Sequence, residues 1–424
     1  MIYYYRFRNK ILFSKSEISN LSKIEPGNSF VKNNRFIYYL QKKNWQKISP
    51  LVALIHPEQL LNKKQEINIL RRPEYIEQEF SEFPGWIVDK IKNREVGLCN
   101  YSYPRWKDRL DWKLPEQWNI NIVGLGNVGG TLLVALRSMS GEKVNKIGIF
   151  DTNEKSMSRW EQETNQIIDG SGQRKFPPVK IVKSEEIFQA DLLIFCISMG
   201  IPSPEQGFKD ITKVQLEANS KIIDYYAQRA RKNNFNGIFA VVSEPVDLLC
   251  QRAFLASNLS EEGKFDGKGL AADQIRGLGL GVMNGRAVYY AEKEKDIRHY
   301  VSKGRIFGPQ GIGLVVADDV ENYDREKSSY LREKVLHATL QLIKTGFKPY
   351  IAPAVASGAF SILNLMEGKW HYSAAFLGEI FWGSRNRQTP VGLEWEQYNL
   401  SPELLGDLDD CFQKLKKQAK SLSK

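Results

Sequence analysis

The stretch "NINIVGLGNVGGTLLVALRSM", Asn119 to Met139, constrains this chain more than any other. A short apolar run leads into three glycines in Gly-x-Gly-x-x-Gly spacing, helical spacing follows, and "KIGIFD" ends a second apolar run on Asp151. The order strand, glycine turn, helix, strand, acid is the context that gives this spacing a mechanical meaning. Gly124 permits the tight turn, Gly126 lets backbone approach a pyrophosphate, and Gly129 lets the helix lie close to the sheet. Asn127 and Val128 open the helix, where unpaired N–H groups and the positive dipole end suit a phosphate. Asp151 is placed to accept hydrogen bonds from a ribose diol, which favours NAD over its phosphorylated relative. The competing reading is a tight turn with a purely structural role.

The alternation continues. "VKIVK" (179–183), "ADLLIFCIS" (190–198) and "GIFAVVS" (237–243) read as strands, the last two separated by the helical "TKVQLEANSKIIDYYAQRARKNN". Nearly continuous apolar strands between helices predict a parallel sheet covered on both faces. Ligands of such sheets bind beyond the carboxyl ends of the strands, which directs attention to "SMGIPSPEQGFKD" and "SEPVD".

With 424 residues the chain has room for two or three domains. Its four cysteines, Cys99, Cys196, Cys250 and Cys411, form no Cys-x-x-Cys pair, and with only four histidines neither a disulfide framework nor a zinc cluster is expected. That cysteine usage suggests a reducing, cytoplasmic setting. The start, "MIYYYRFRNKILFSKSE", breaks each apolar run with charge, and the longest run elsewhere, "LLIFCI", is far short of a membrane span. Of the net charge of +11, residues 1–64 carry +9, from 12 Lys/Arg against 3 Asp/Glu. Basic residues interleaved with aromatics there suit a nucleic-acid backbone or an acidic partner, or simply a solvated face on a small strand-rich domain. Between 65 and 118, "RRPEYIEQEFSEFPGWIVDKIKNREVG" predicts one or two short helices, and the aromatic "YSYPRWKDRLDWKLPEQW" an irregular connector.

From residue 119 to the C-terminus, "NIVGLGNVGG", "IFD", "ADLLIFCISMGIP", "VVSEPVDLL", "GVMNGR" and "FGPQG" follow in an order that resembles the lactate/malate dehydrogenase family. The resemblance implies an α/β fold: a Rossmann-type doubly wound parallel sheet (119–246), then a mixed α/β substrate domain (247–424), preceded here by a small basic N-terminal domain (1–118). It also implies NAD as cofactor, a small carboxylate substrate and a possible homo-oligomer, since the family commonly forms dimers or tetramers. In "SPELLGDLDDCFQKLKKQAKSL", Ser401 caps a last helix whose apolar stripe is Leu404, Leu405, Leu408 and Phe412.

The family's histidine turn reads Gly-Glu-His-Gly, and here it reads Gly308-Pro309-Gln310-Gly311, in "RIFGPQGIGLV". The resemblance thus places a glutamine, which carries no exchangeable charge, where the proton carrier belongs. Its aspartate partner becomes Met283, while the carboxylate-clamping arginine three residues later is kept as Arg286. The family's asparagine becomes Glu244 in "SEPVD", Thr212 falls where a carbonyl-polarising arginine belongs with Lys209 and Lys213 nearby, Met199 replaces a small residue, and Lys348 replaces a threonine. Loss of the histidine–aspartate pair forgoes general acid–base catalysis worth about 10²- to 10⁴-fold. Glu244, Arg286, Gln310 and Lys348 are the candidate catalytic residues, with Glu244 or Lys348 as acid or base; alternatively Glu244 pairs with Arg286 or Lys348 and fills the pocket. His299 is expected at a strand edge, His371 in a surface strand, His337 in a charged helix and His56 before a proline. The polar insertion Ser257–Leu270 is expected to be a surface loop. Two functions follow: an NAD-dependent oxidoreductase on a non-standard carboxylate, or a catalytically silent dinucleotide-binding sensor or scaffold whose basic N-terminal domain holds a partner.

Overall fold

Aromatic side chains, not charges, organise the first hundred residues. The structure is a computed structural model that describes residues 1–25, 34–60, 66–73, 82–199, 208–346 and 353–422. Strands Tyr3–Phe7 (β1), Lys10–Ser14 (β2), Ser22–Ile24 (β3), Ile37–Gln41 (β4), Leu51–Leu54 (β5) and Val96–Asn100 (β6) pair in the order β3-β1-β2-β4-β6-β5. Tyr4, Tyr5, Phe13, Tyr38 and Tyr39 are buried in it, so these aromatics are core rather than a stacking platform. Among the described residues, six of the region's basic side chains meet acids. Arg8 and Lys10 meet Asp111, Lys15 meets Glu82, Lys23 meets Glu17, Arg35 meets Glu95 and Lys47 meets Glu379. The predicted helical region contains Gly85–Lys92, and the aromatic connector folds a short helix, Trp106–Asp111.

The apolar runs that follow form Trp118–Val123 (β7), Val144–Phe150 (β8), Val179–Ile181 (β9), Leu192–Phe195 (β10), Ile238–Val241 (β11) and Ile275–Gly277 (β12). All pair in parallel in the order β9-β8-β7-β10-β11-β12. Counted from β7, this is the 3-2-1-4-5-6 order of dinucleotide-binding sheets, with its switch point between β7 and β10. The sheet thus extends past residue 246 to β12. Helices Asn127–Met139, Glu154–Asn165, Phe208–Lys232 and Val246–Ser257 connect the strands, and no described helix is long and apolar enough to cross a membrane.

Arg305–Phe307 (β13) and Val315–Ala317 (β14) make a separate hairpin, while His371–Leu377 (β15), Ile380–Thr389 (β16) and Gly392–Trp395 (β17) form an antiparallel meander. The meander joins the parallel sheet through Gly277↔Ala374 and the N-terminal sheet through Leu393↔Val52, giving one sheet of 15 described strands. One apolar core spans this junction. Tyr4, Phe13 and Ile87 belong to the same cluster as Trp382, Trp395, Leu404, Leu408 and Phe412, the last three from the helix Pro402–Ser421 capped by Ser401. A buried ion pair, Arg109 Nε to Asp273 Oδ1 at 3.0 Å, ties the two regions again.

The insertion 257–270 is more than a surface loop. Ser257, Asn258 and Leu270 are buried, the Asn258 side chain bonds Gly269 N and Leu270 O, and Phe265 stacks on Trp45 at 5.1 Å. The reason is apolar: Phe265 needs cover, and the N-terminal region supplies it. His299 does not sit at a strand edge but precedes the helix Tyr300–Lys303, held by Asp318 at 2.9 Å. His371 begins a strand but is buried, not on the surface, and burial pushes its pKa down to about 4.

Candidate active site

The glycine turn sits at the carboxyl end of β7, on the switch point. Gly124 has φ +93°, and a Cβ there would meet Ile197 N at 2.8 Å. A Cβ on Gly129 would fall 1.9 Å from Gly124 O, so turn and helix approach as closely as only hydrogen permits. Around Gly126, by contrast, a Cβ would find no atom within 4 Å, and the helix Asn127–Met139 has no side-chain cap. Among the described residues, the first N–H groups of this helix thus lack a side-chain cap beside an open space. Asp151 Oδ2 accepts from Leu125 N at 2.7 Å and Oδ1 from Asn153 N at 3.0 Å. Trp160, which the sequence did not bring forward, closes the turn by donating to Leu125 O at 3.1 Å.

Across the crevice, Gln310 projects from the β13–β14 turn, held by its own N–H to Asp247 Oδ2 at 3.1 Å. Its Nε2 donates to Glu244 Oε1 at 2.7 Å, and its buried Oε1 has no partner. That oxygen lies where Gly279 would carry a Cβ, 1.3 Å from the position. Glu244 follows β11 through a cis peptide to Pro245, and its backbone O is fixed by Asn219 Nδ2 at 2.7 Å; Asn219 Oδ1 also receives Met199 N. Glu244 reaches solvent yet is enclosed by protein, the position of a group lining a cleft. Burial raises its pKa, against the opposing pull of Arg286.

Arg286 lies half-buried on the helix Leu280–Lys293, with Nη2 on Thr339 Oγ1 at 3.3 Å and Nη1 on Met283 Sδ at 3.6 Å. Burial lowers its pKa while Glu244 raises it. The two charges sense each other, but among the described residues no ion pair within 4.0 Å joins them. Met283 is part of an apolar cluster with Ile306 and Leu331, so the expected aspartate position has become core.

Glu244 and Gln310 are thus in contact, with Arg286 within electrostatic reach. Lys348 lies outside the described residues, as do the side chains of Lys209 and Thr212; Lys213 is exposed and paired along its helix with Glu217. Sequence reasoning missed Asp247, 5% exposed, whose carboxyl burial pushes up to about 7. Its position was a signal: it lies in the first turn of the helix that follows β11, three residues past Glu244.

The fold and crevice define a dinucleotide-type α/β protein with a second pocket wall supplied by its C-terminal half. No family model matches the chain. It is 29% identical over 230 residues to the L-lactate dehydrogenase of Mycoplasma genitalium, 51% of this chain and 68% of that enzyme. It is 24% identical over 265 residues to the malate dehydrogenase of Aliarcobacter butzleri, 58% and 76% of the two chains. Among solved structures, a lactate dehydrogenase from a Medee basin deep-sea metagenome library aligns with TM-score 0.58 and 17% identity over 73% of this chain and 100% of that one. The malate dehydrogenase of Archaeoglobus fulgidus in complex with NADH aligns with TM-score 0.56 and 18% identity over 72% and 100%. Sequence and structural neighbours point to the lactate/malate dehydrogenase family, at low identity.

Proposed function

We propose that the protein is an NAD-dependent oxidoreductase acting on a carboxylate-bearing substrate through acid–base groups other than a histidine–aspartate pair. The observation that carries this reading is the coexistence of open space for phosphate at Gly126 with Arg286 kept within electrostatic reach of Glu244. The residues present fit a dinucleotide. Helix N–H groups at Asn127 and Val128 suit the phosphates, and Asp151 retains acceptor capacity for a ribose beyond its two backbone bonds. When bound, the nicotinamide accepts or delivers hydride. Arg286 would hold the carboxylate, Glu244 would take or return the proton, and Gln310 would orient Glu244. Lys348 is the remaining candidate acid or base. The four cysteines are free, in keeping with a cytoplasmic setting.

The second reading, a silent dinucleotide sensor or scaffold, draws support from one contact: the Gln310 amide already occupies Glu244. Nicotinamide absorbance followed with a panel of hydroxy, oxo and amino acids separates the two. Turnover that falls at least about 100-fold in Glu244→Gln supports the enzyme. Tight cofactor binding with no turnover on any substrate, and a partner captured through residues 1–118, would favour the sensor.

A further inference from the structure

The walls of the cleft are unusual in what they lack. Gln310 has turned one of its two amide hydrogens to Glu244 Oε1, and its oxygen is buried against Gly279. Among the described residues, no donor sits on Glu244 Oε2, although the side chain reaches solvent. An ionised carboxylate only accepts hydrogen bonds. A substrate carbonyl turned toward it would set acceptor against acceptor, and a hydroxyl would bring a single hydrogen. An ammonium brings three donors and the complementary charge. At the other side, Arg286 uses two of its N–H groups on Thr339 and Met283, which leaves donors for a substrate carboxylate. The cleft therefore carries an acceptor-only negative group and a donor-only positive group that sense each other without meeting.

We propose that this cleft takes a zwitterionic substrate, its carboxylate on Arg286 and a cationic nitrogen on Glu244, in place of a simple hydroxy or oxo acid. The inference rests on the carboxylate-substrate reading given above and adds the chemistry of the opposite end. It makes Glu244 a specificity-determining residue. A neutral amide there would lose the charge-assisted bond, and a hydroxy acid would forgo it altogether.

The test is calorimetric titration of the full chain, saturated with NADH, with alanine, β-alanine and ornithine, against lactate, propionate and pentanoate. At least one amine should bind wild type roughly tenfold more tightly than its amine-free counterpart. Glu244→Gln should erase that preference, while Arg286→Met should weaken both kinds of acid. In wild type itself the preference should fall as Glu244 is protonated on acidification, a readout that needs no variant. Equal binding of amines and amine-free acids, or a preference that survives in a folded Glu244→Gln protein, would overturn the inference and leave the carboxylate site standing. A preference that emerges only in Lys348→Met would assign Glu244 to that lysine and also overturn it. If the NADH-loaded protein binds no acid of either kind, the carboxylate reading fails and takes this inference with it.

Discussion

At the scale of single residues, the consequential changes are in which groups carry charge and where they are desolvated. Asp247 is the sharpest case. Its folded pKa of about 7 stands above the ordinary 3.8, because burial outweighs the N–H of Gln310. Between those values the folded chain holds a proton that the unfolded chain has released. The associated stability is therefore full below the unfolded value and is lost as pH rises through about 7. Asp247→Asn keeps an oxygen for Gln310 N but cannot ionise. Urea unfolding should find the stability of the variant relative to wild type rising between pH 5 and pH 8, by on the order of 1–3 kcal/mol. An unchanged difference across that range would contradict the assignment. Gln310 and Glu244 could be named from sequence only because a family pattern supplied the missing histidine and asparagine. Asp247 belonged to the same quoted segment, but nothing in an isolated aspartate shows that its surroundings will be dry.

At the scale of elements, the parallel strands and the glycine turn were legible because each obeys a local rule: apolar runs bury both faces, and the glycines fall where Gly124 and Gly129 meet close approaches and Gly126 borders open space. The turn tests this directly. Gly129→Ala would drive a methyl into Gly124 O, so the helix must shift. Thermal unfolding should show a loss of about 1–3 kcal/mol. No loss would mean that the turn relaxes and the close approach is not required. The insertion 257–270 was not legible, because its polar composition says loop while Phe265 packs on Trp45 and Asn258 bonds back to Gly269 and Leu270. His371 was misplaced for a related reason. A histidine at a strand start reads as surface unless the covering layer is known, and here it lies under Ser373 and the Lys369 carbonyl.

At the scale of the whole molecule, the basic N-terminal region is built into the remainder. Its sheet reaches β17, its apolar side shares a core with the last helix, and Arg109 neutralises Asp273 beside the buried Arg276. Sequence composition could mark the change near residue 118 but not the long-range pairing that crosses it. Asp273→Ala would leave two buried arginines without their carboxylate and should cost about 3–5 kcal/mol by denaturant unfolding. Removal of residues 1–117 should give insoluble protein, since it uncovers Trp395, Leu404 and Phe412. A soluble, cooperatively folding remainder would show that the shared core is dispensable.

The central claim is that the crevice at the carboxyl end of β7 holds a dinucleotide. Calorimetric titration of wild type and Gly126→Ala with NADH tests it most directly, because a methyl at that position meets no protein atom and intrudes only on the cradle. The expected result is micromolar binding by wild type, weakened at least about tenfold in the variant, with the unfolding transition unchanged. Absence of binding by wild type, or equal binding by both proteins, would contradict the account.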